Sequence, residues 1–165
     1  RIAVVDFDVH HGNGTQNHFY ARGEVLYASL HQWPFYPGTG AALEIGKGAG
    51  QGATVNLPLP AGTGDAGYAR AFEVELLPAL HAFGPEVLVV SAGFDSWRED
   101  PLAGMLVSKE GFREFGRHLG SFAQARTEGR LLAVLEGGYD LEALPELTAT
   151  FLDALTPGEA PANRR

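Results

Sequence analysis

Two aspartates and a histidine occupy alternate positions near the amino-terminal end of the chain. Asp6, Asp8 and His10 follow the apolar run 2–5, which is typical of a buried strand. Because strand side chains alternate between two faces, we expect all three to project to one side at the strand's carboxyl end. Open parallel α/β sheets bind their ligands at that edge. Burial of unpaired charges is unfavourable, so the pattern favours a bound cation over the alternative, a solvated polar strand end.

Two further polar segments each follow a strand-like run. Residues 91–102 read Ser-Ala-Gly-Phe-Asp-x-x-x-x-Asp-Pro-Leu and place Asp95 just beyond an apolar strand. Residues 135–141 read Leu-Glu-Gly-Gly-Tyr-Asp-Leu and place Tyr139 after a Gly-Gly pair, which lets backbone approach a ligand closely. Since parallel strands bring their carboxyl ends to one edge, we expect both segments to meet the first cluster there.

The chemistry of these groups points to a metal site of the catalytic kind. The chain has no cysteine, so a metal must be held by histidine and carboxylate. Asp8, His10 and Asp95 make a set of three ligands, and catalytic zinc keeps its fourth position open for water or substrate. Tyr139 could donate a hydrogen bond to the oxyanion formed when that water attacks. The pattern therefore suggests metal-assisted hydrolysis of an amide.

Strand and helix patterns alternate along the chain, which predicts a parallel α/β sheet. The predicted strands are Ile2–Asp6, Val25–Leu30, Ala53–Leu57, Val87–Ala92 and Leu131–Leu135. The predicted helices are Thr15–Tyr20, Asp65–Phe83, Lys109–Ala125 and Leu141–Leu155, with Asp65 and Ser108 as N-caps. Residues 33–52 form a Gly/Pro-rich loop that is too long to be a simple connection. Because the chain begins inside a strand with nothing to cover it, we expect it to be the carboxyl-terminal part of a larger domain.

Charge and composition exclude some classes of function. The net charge of −8 makes a binder of the nucleic-acid backbone improbable, so we expect no direct nucleic-acid binding. The sequence contains neither a stretch of transmembrane length nor a signal peptide. We therefore expect a cytoplasmic protein with no membrane partner.

Taken together, the three polar segments resemble those of the histone deacetylase and acetylpolyamine amidohydrolase superfamily. The first of them, residues 6–16, reads Asp-x-Asp-x-His-His-Gly-Asn-Gly-Thr-Gln, and the Leu-Glu-Gly-Gly-Tyr form resembles class II and bacterial members. The resemblance implies an α/β fold, the parallel-sheet three-layer sandwich of the arginase/deacetylase type with its amino-terminal part missing. It also implies that residues 1–155 are the carboxyl-terminal portion of one catalytic domain. Residues 156–165 have the composition of a flexible tail.

The resemblance assigns roles to individual residues. It implies that zinc is bound by Asp8, His10 and Asp95, and that Tyr139 polarises the acyl carbonyl. A structural potassium ion would be held by Asp6, Asp8, Ser29 and the carbonyls of His10 and Leu30, and a second monovalent site would use backbone near Phe19, Arg22, Val25 and Ala53. Tyr36, Leu102 and Gly138 would contact the substrate, an acetyl-lysine peptide or an acetylated polyamine or other small molecule.

The same resemblance requires a general base that this sequence lacks. The base is a pair of adjacent histidines on a loop before the first strand, and Asp6 and Asn13 match the residues that orient this pair. His10 is assigned as a metal ligand, and strand alternation points His11 away from the site. We therefore expect the complete protein to be a deacetylase and the isolated chain to be inactive.

Three other interpretations are considered. A haloacid-dehalogenase-like phosphohydrolase would use Asp6 and Asp8, with Ser29, Lys47 and a magnesium ion held by Asp95 and Asp100, but magnesium prefers oxygen ligands and would leave His10 unexplained. A non-catalytic module that binds metal or acyl-lysine would not need the missing half. The binuclear manganese chemistry of arginases would need further acidic and histidine ligands around the first strand.

Overall fold

The computed structural model describes residues 1–156, which form a five-stranded, fully parallel sheet with helices. The strands are β1 (Ile2–Asp6), β2 (Val25–Gln32), β3 (Thr54–Leu59), β4 (Val87–Ala92) and β5 (Leu131–Leu135). The helices are α1 (Asn13–Phe19), α2 (Asp65–Ala71), α3 (Leu77–Phe83), α4 (Lys109–Arg126) and α5 (Leu144–Leu155). A π-helical turn (Phe72–Leu76) joins α2 to α3, and a 3-10 turn (Gly48–Gly50) precedes β3. The predicted parallel α/β sheet is confirmed.

In the strand order β3-β2-β1-β4-β5, the direction in which successive strands are added to the sheet reverses at β1. From β1 the chain builds outward through β2 and β3, and it then returns to add β4 on the other side of β1. At the carboxyl ends, Asp6 lies level with Ser29 on β2 and with Ser91 on β4. In open α/β sheets the crevice at such a switch point is where ligands bind. The topology alone therefore places the candidate site between β1 and β4.

One face of the sheet forms the main core. Inward-facing residues such as Val5 and Val90 are fully buried in one cluster with the aromatic rings of α4 and α5. Phe7, just beyond β1, lies 5.4 Å from Phe115 and 5.2 Å from Phe151 between ring centroids. Rings at such spacings favour edge-on and tilted arrangements, which stabilise the core beyond simple area burial.

The other face of the sheet is divided between a buried polar half and an open apolar half. Over β1–β3 it carries buried polar side chains, such as Ser29, His31 and Asn56, beneath α1 and the 33–52 loop. Over β4 and β5 it is exposed, with Leu132 58% and Val134 43% accessible. Within residues 1–156, the outer edge of β5 has no strand partner. Exposed apolar faces and free strand edges are typical of surfaces that contact another segment or chain.

Several predicted element boundaries differ from the structure. The helix predicted over 65–83 is present but contains the π-helical turn, because Pro78 has no N–H to give the preceding turn and the Leu77 N–H bonds instead to the Phe72 carbonyl. Asp65 is not an N-cap, since its carboxylate accepts hydrogen bonds from the backbone and hydroxyl of Ser108.

The other boundaries move by a few residues. Ser108 is an N-cap, as predicted, and accepts from the Gly111 N–H. Helix α5 begins at Leu144 rather than Leu141, because the Asp140 carboxylate accepts from the backbone amides of Glu142 and Ala143 in a turn before the helix. The remaining differences are extensions or shifts of up to two residues at helix and strand ends. Of the predicted tail, all but Thr156 lies outside the described residues.

No helix within residues 1–156 is both long enough and apolar enough to cross a membrane.

From the close contact between α4 and α5, we expect that adding one methyl group at Gly120 will destabilise the protein. A side chain on Gly120 would overlap the Leu155 carbonyl, where the two helices cross. We expect Gly120→Ala to lower the free energy of unfolding by about 1–3 kcal/mol despite alanine's higher helix propensity. Gly14→Ala in α1, where a Cβ meets nothing within 4 Å, is the matched control and should be neutral or stabilising. Urea unfolding of the purified protein measures both, and equal effects would contradict the packing argument.

Candidate active site

Three ionisable side chains converge at the switch point. Asp8 and His10 lie in the loop after β1, and Asp95 lies just after β4. The Nδ1 atom of His10 is 3.1 Å from Asp8 Oδ1 and 3.1 Å from Asp95 Oδ2. One potential ligand atom from each residue lies within 4.8 Å of the others, as required if all three are to bind a single ion at about 2.0–2.2 Å. Two carboxylate oxygens and an imidazole nitrogen are a donor set that suits zinc.

Backbone amides from different loops hold the two carboxylates in place. Asp8 Oδ2 accepts from the Gly137 N–H at 2.8 Å, and Asp95 Oδ1 accepts from the Val9 N–H at 2.8 Å. A side chain on Gly137 would overlap both carboxylates, and one on Gly93 would overlap Asp8. Glycine is therefore needed at these two positions because backbone passes directly against the carboxylates.

The electrostatics of the cluster favour a cation. Burial raises the pKa of Asp95, whereas hydrogen bonds from His10 and from backbone amides outweigh burial and lower the pKa of Asp8. Hydrogen bonds to Asp8 and Asp95 raise the pKa of His10 to about 10. The half-buried Asp8 and the buried Asp95 thus favour the protonated imidazole at neutral pH. A divalent ion at the same place would replace that proton and supply more charge.

A cavity of about 510 Å³ opens above the cluster. The residues on its wall include Asp8, His10, Tyr36, Leu102, Gly137 and Tyr139. Tyr36, Leu102 and Tyr139 are exposed, and Gly138 has a φ of +140°, a conformation open mainly to glycine, directly before Tyr139. Two of the three candidate ligands, Asp8 and His10, thus share a cavity wall with Tyr36, Leu102 and Tyr139. Asp95 is fully buried behind that wall, and Gly138 adjoins it between Gly137 and Tyr139.

Three aromatic residues, Phe35, Tyr36 and Tyr139, lie beside the cluster of candidate metal ligands. Phe35 stacks on His10 at 5.3 Å between ring centroids, and Tyr36 stands edge-on to His10 at 6.1 Å. Sequence reasoning did not single out Phe35, although it adjoins Tyr36. Partial burial and the charges of Asp95, Asp8 and Asp100 raise the pKa of Tyr139, so its hydroxyl stays protonated and can donate.

Asp6 lies beneath the cluster and is not among the three converging residues. Its Oδ1 accepts from the Asp8 N–H at 3.1 Å, and its Oδ2 accepts from the Tyr27 hydroxyl at 2.9 Å. Burial, followed by repulsion from Asp8, raises the pKa of Asp6 to about 8. Tyr27 was missed at the level of sequence, although it shares a strand face with Ser29 by simple alternation.

Three further residues that the resemblance assigns to the site, Ser29, Leu30 and Asn13, lie outside the cluster of candidate metal ligands in the structure. The Ser29 hydroxyl is paired with His31 Nδ1 at 2.9 Å, and Leu30 faces the apolar core. Asn13 is exposed at the first position of α1. Within residues 1–156 the structure supports no assignment of potassium, which stays a prediction.

A buried polar network anchors the loop that carries the aromatic side chains. His11 Nε2 bonds Gln16 Oε1 at 2.9 Å, and His11 Nδ1 bonds the Thr39 hydroxyl at 2.8 Å. Gln16 donates to Glu44 at 2.5 Å, and Glu44 in turn accepts from the backbone amides of Gly40 and Ala41. Burial lowers the pKa of His11, so the ring is neutral with both nitrogens occupied.

The comparisons with known proteins agree with this geometry. The model of the histone deacetylase domain matches residues 1–155. The chain belongs to the histone deacetylase family. It is 47% identical over 146 residues to a probable deacetylase from Archaeoglobus fulgidus, covering 88% of this chain and 41% of that protein. A rice (Oryza sativa) relative, histone deacetylase 10, chloroplastic, is 42% identical over 149 residues, covering 90% of this chain and 34% of that protein.

Solved structures of the family share the fold. Against the acetylpolyamine aminohydrolase from Burkholderia pseudomallei, the TM-score is 0.87 at 39% identity, covering 94% of this chain and 44% of that chain. The predicted family and fold class are thus confirmed. The chain spans about a third to two-fifths of the length of the curated relatives described above.

The raised pKa of His10 predicts a pH-dependent metal affinity. Zinc needs the unprotonated ring, so below a pH of about 10 binding must release a proton. We expect the apparent zinc affinity to rise by up to about tenfold per pH unit from pH 6 to pH 8. A competition titration with a chromophoric chelator measures this, and calorimetry in two buffers of different ionisation enthalpy counts the released proton. A pH-independent affinity would contradict the assignment of His10.

Proposed function

We propose that the complete protein is a zinc-dependent deacetylase that hydrolyses the acetyl amide of acetyl-lysine or acetylpolyamine substrates. The observation that carries the proposal is the convergence of Asp8, His10 and Asp95 on one point, beside a cavity whose wall includes Asp8, His10 and Tyr139. A zinc ion bound there would act as a Lewis acid on the carbonyl and lower the pKa of a bound water.

The chain's own residues would position the substrate around that point. Tyr139 would donate a hydrogen bond to the acyl oxygen, and its raised pKa keeps the donating proton in place. Tyr36, Leu102 and Gly138 would contact the acylated chain, because they lie at the cavity or directly beside its wall. The open, partly apolar wall suits an alkyl chain with a small acyl group.

Neither histidine at the cavity is free to act as the general base. Of the two histidines at the cavity, His10 is a proposed ligand and His11 has both ring nitrogens occupied. We propose that an upstream histidine pair takes the proton of the water, with Asp6 and Asn13 as its orienting partners. The free edge of β5 and the exposed residues Leu132 and Val134 offer a surface on which that upstream part of the domain would pack.

A structural potassium ion at Asp6, Ser29 and the Leu30 carbonyl is part of the proposal. The buried Asp6 carboxylate has a raised pKa and no ion pair with lysine or arginine within residues 1–156, so a cation beside it would stabilise its charge. A cytoplasmic location also stays a prediction.

The phosphohydrolase interpretation is not favoured. It would use Lys47, which is exposed in the structure and does not line the cavity, and it would leave His10 without a role. The non-catalytic binding module is the outcome to expect if the complete protein binds zinc and acetylated ligand without turnover.

Loss of the Tyr139 hydroxyl tests the proposed chemistry. In the complete protein, Tyr139→Phe should lower kcat for amide hydrolysis by about 10²–10³-fold, the usual effect of removing one oxyanion donor. The KM should change far less, since the hydrogen bond strengthens only as charge develops on the oxygen. Tyr20→Phe, at the end of α1 and away from the cavity wall, is the control. Unchanged turnover in Tyr139→Phe would remove Tyr139 from the mechanism.

A comparison of two chains tests the missing base. Residues 1–165 alone, supplied with zinc, should show no measurable deacetylation, because general-base catalysis typically contributes about 10²–10⁴-fold. The chain extended upstream to the histidine pair should be active and sensitive to chelators. Assays on an acetyl-lysine peptide and on an acetylpolyamine, run side by side, also address the substrate. Robust zinc-dependent activity of 1–165 alone would refute the requirement for an upstream base.

A further inference from the structure

A buried carboxylate connects two loops of the cavity wall. Asp100, in the loop after β4, is 7% exposed. Its Oδ1 accepts from the Leu102 N–H at 2.9 Å, and its Oδ2 accepts from the Tyr139 N–H at 2.8 Å. Within residues 1–156, no lysine, arginine or histidine forms an ion pair with it. Both carboxylate oxygens are therefore committed to backbone amides of residues that line the cavity.

The Asp100 carboxylate is the acceptor for the backbone N–H groups of both Leu102 and Tyr139. The side chains of Leu102 and Tyr139 are 54% and 46% exposed, and the Tyr139 hydroxyl makes no hydrogen bond to the described residues. Gly137 is held through its N–H by Asp8 and through its carbonyl by Phe94, but Gly138 lies between it and Tyr139, and glycine is intrinsically the least restrained residue type. The Asp100 carboxylate is the direct polar anchor of the Tyr139 backbone.

We propose that Asp100 is a positioning residue that holds the Tyr139 hydroxyl at the point where negative charge develops on the acyl oxygen, and holds Leu102 against the substrate chain. The proposal rests on the proposed function, since it assigns Asp100 an effect that acts through Tyr139. A misplacement of a donor by about 1 Å is enough to cost a large factor in rate. If Asp100 had only a structural role, its substitution would lower stability, and its effect on kcat would not depend on whether the Tyr139 hydroxyl is present.

The substitution Asp100→Asn removes one of the two acceptor oxygens while keeping the shape of the side chain almost unchanged. Asparagine keeps one acceptor oxygen and puts an NH₂ group at the other position, where it faces an N–H donor. One of the two backbone amides then loses its partner. We expect kcat of the complete enzyme to fall by about 10–100-fold with KM within about threefold, in line with the loss of an outer positioning contact.

A second hydrogen bond joins the same two loops without involving Tyr139, and it provides a control. The indole Nε1 of Trp97 donates to Asp140 Oδ2 at 3.1 Å, which also links the loop after β4 to the loop after β5. Trp97→Phe removes this hydrogen bond and keeps an aromatic ring. It should change kcat by less than about threefold, whereas a general loosening of the two loops would lower kcat in both variants.

A double-mutant cycle with Tyr139→Phe gives the decisive readout. If Asp100 acts through the tyrosine hydroxyl, Asp100→Asn should lower kcat by less than about threefold once that hydroxyl is absent. Asp100→Ser, which has a shorter side chain with a single acceptor, provides a second variant if Asp100→Asn does not fold. Zinc content and the unfolding midpoint are measured on every variant.

The outcomes distinguish this inference from the proposed function. If Tyr139→Phe leaves turnover unchanged, the proposed role of the tyrosine fails and the role of Asp100 fails with it. If Tyr139→Phe lowers kcat but Asp100→Asn does not, or if the two losses multiply fully, Asp100 has no positioning role and the proposed function stands. Equal losses in Trp97→Phe and Asp100→Asn also overturn the positioning role. A loss in Asp100→Asn that vanishes in the Tyr139→Phe background supports it.

Discussion

The structure depends on the placement of two carboxylates, Asp8 and Asp95, against one imidazole nitrogen. Like charges this close repel one another and lose hydration, so they need opposing charge and hydrogen-bond donors to remain in place. The amides of Val9 and Gly137 supply the donors, and the raised pKa of His10 shows how strongly the pair attracts positive charge. The loops after β1, β4 and β5 all meet at these carboxylates. This accounts for the close approach of the Gly137 backbone to Asp8 and Asp95.

The sheet topology makes this convergence possible. Only the reversal of strand order between β1 and β4 brings the loops after both strands to the same crevice. The aromatic core of Phe7, Phe115 and Phe151 lies directly behind that crevice and fixes the strand ends from below. The site is thus supported by the aromatic core, while its outer wall includes the exposed side chains of Tyr36, Leu102 and Tyr139.

Much of the site could be predicted from the sequence because two simple rules govern it. Strand alternation placed Asp8 and His10 together, and parallel strand ends placed Asp95 beside them. The helix boundaries were less accurate because they depend on local features such as the proline after Leu77 and the turn made by Asp140. The sequence signal was weakest where a role depends on a contact far along the chain. Asp65 resembles an N-cap but binds Ser108, and the connections of Tyr27 and Glu44 appear only after the strands are assembled.

The adjacent residues His10 and His11 make contacts on opposite sides of one short backbone segment. His10 faces the carboxylates, whereas His11 holds Thr39 and, through Gln16 and Glu44, the loop that presents Phe35 and Tyr36. One peptide unit therefore links the cluster of Asp8, His10 and Asp95 to the loop that carries Phe35 and Tyr36. An ion that favoured one arrangement of this loop would in turn be favoured by it, since linkage between two sites is reciprocal. Changes in the length or sequence of the loop would then alter the cluster even at positions that do not contact it.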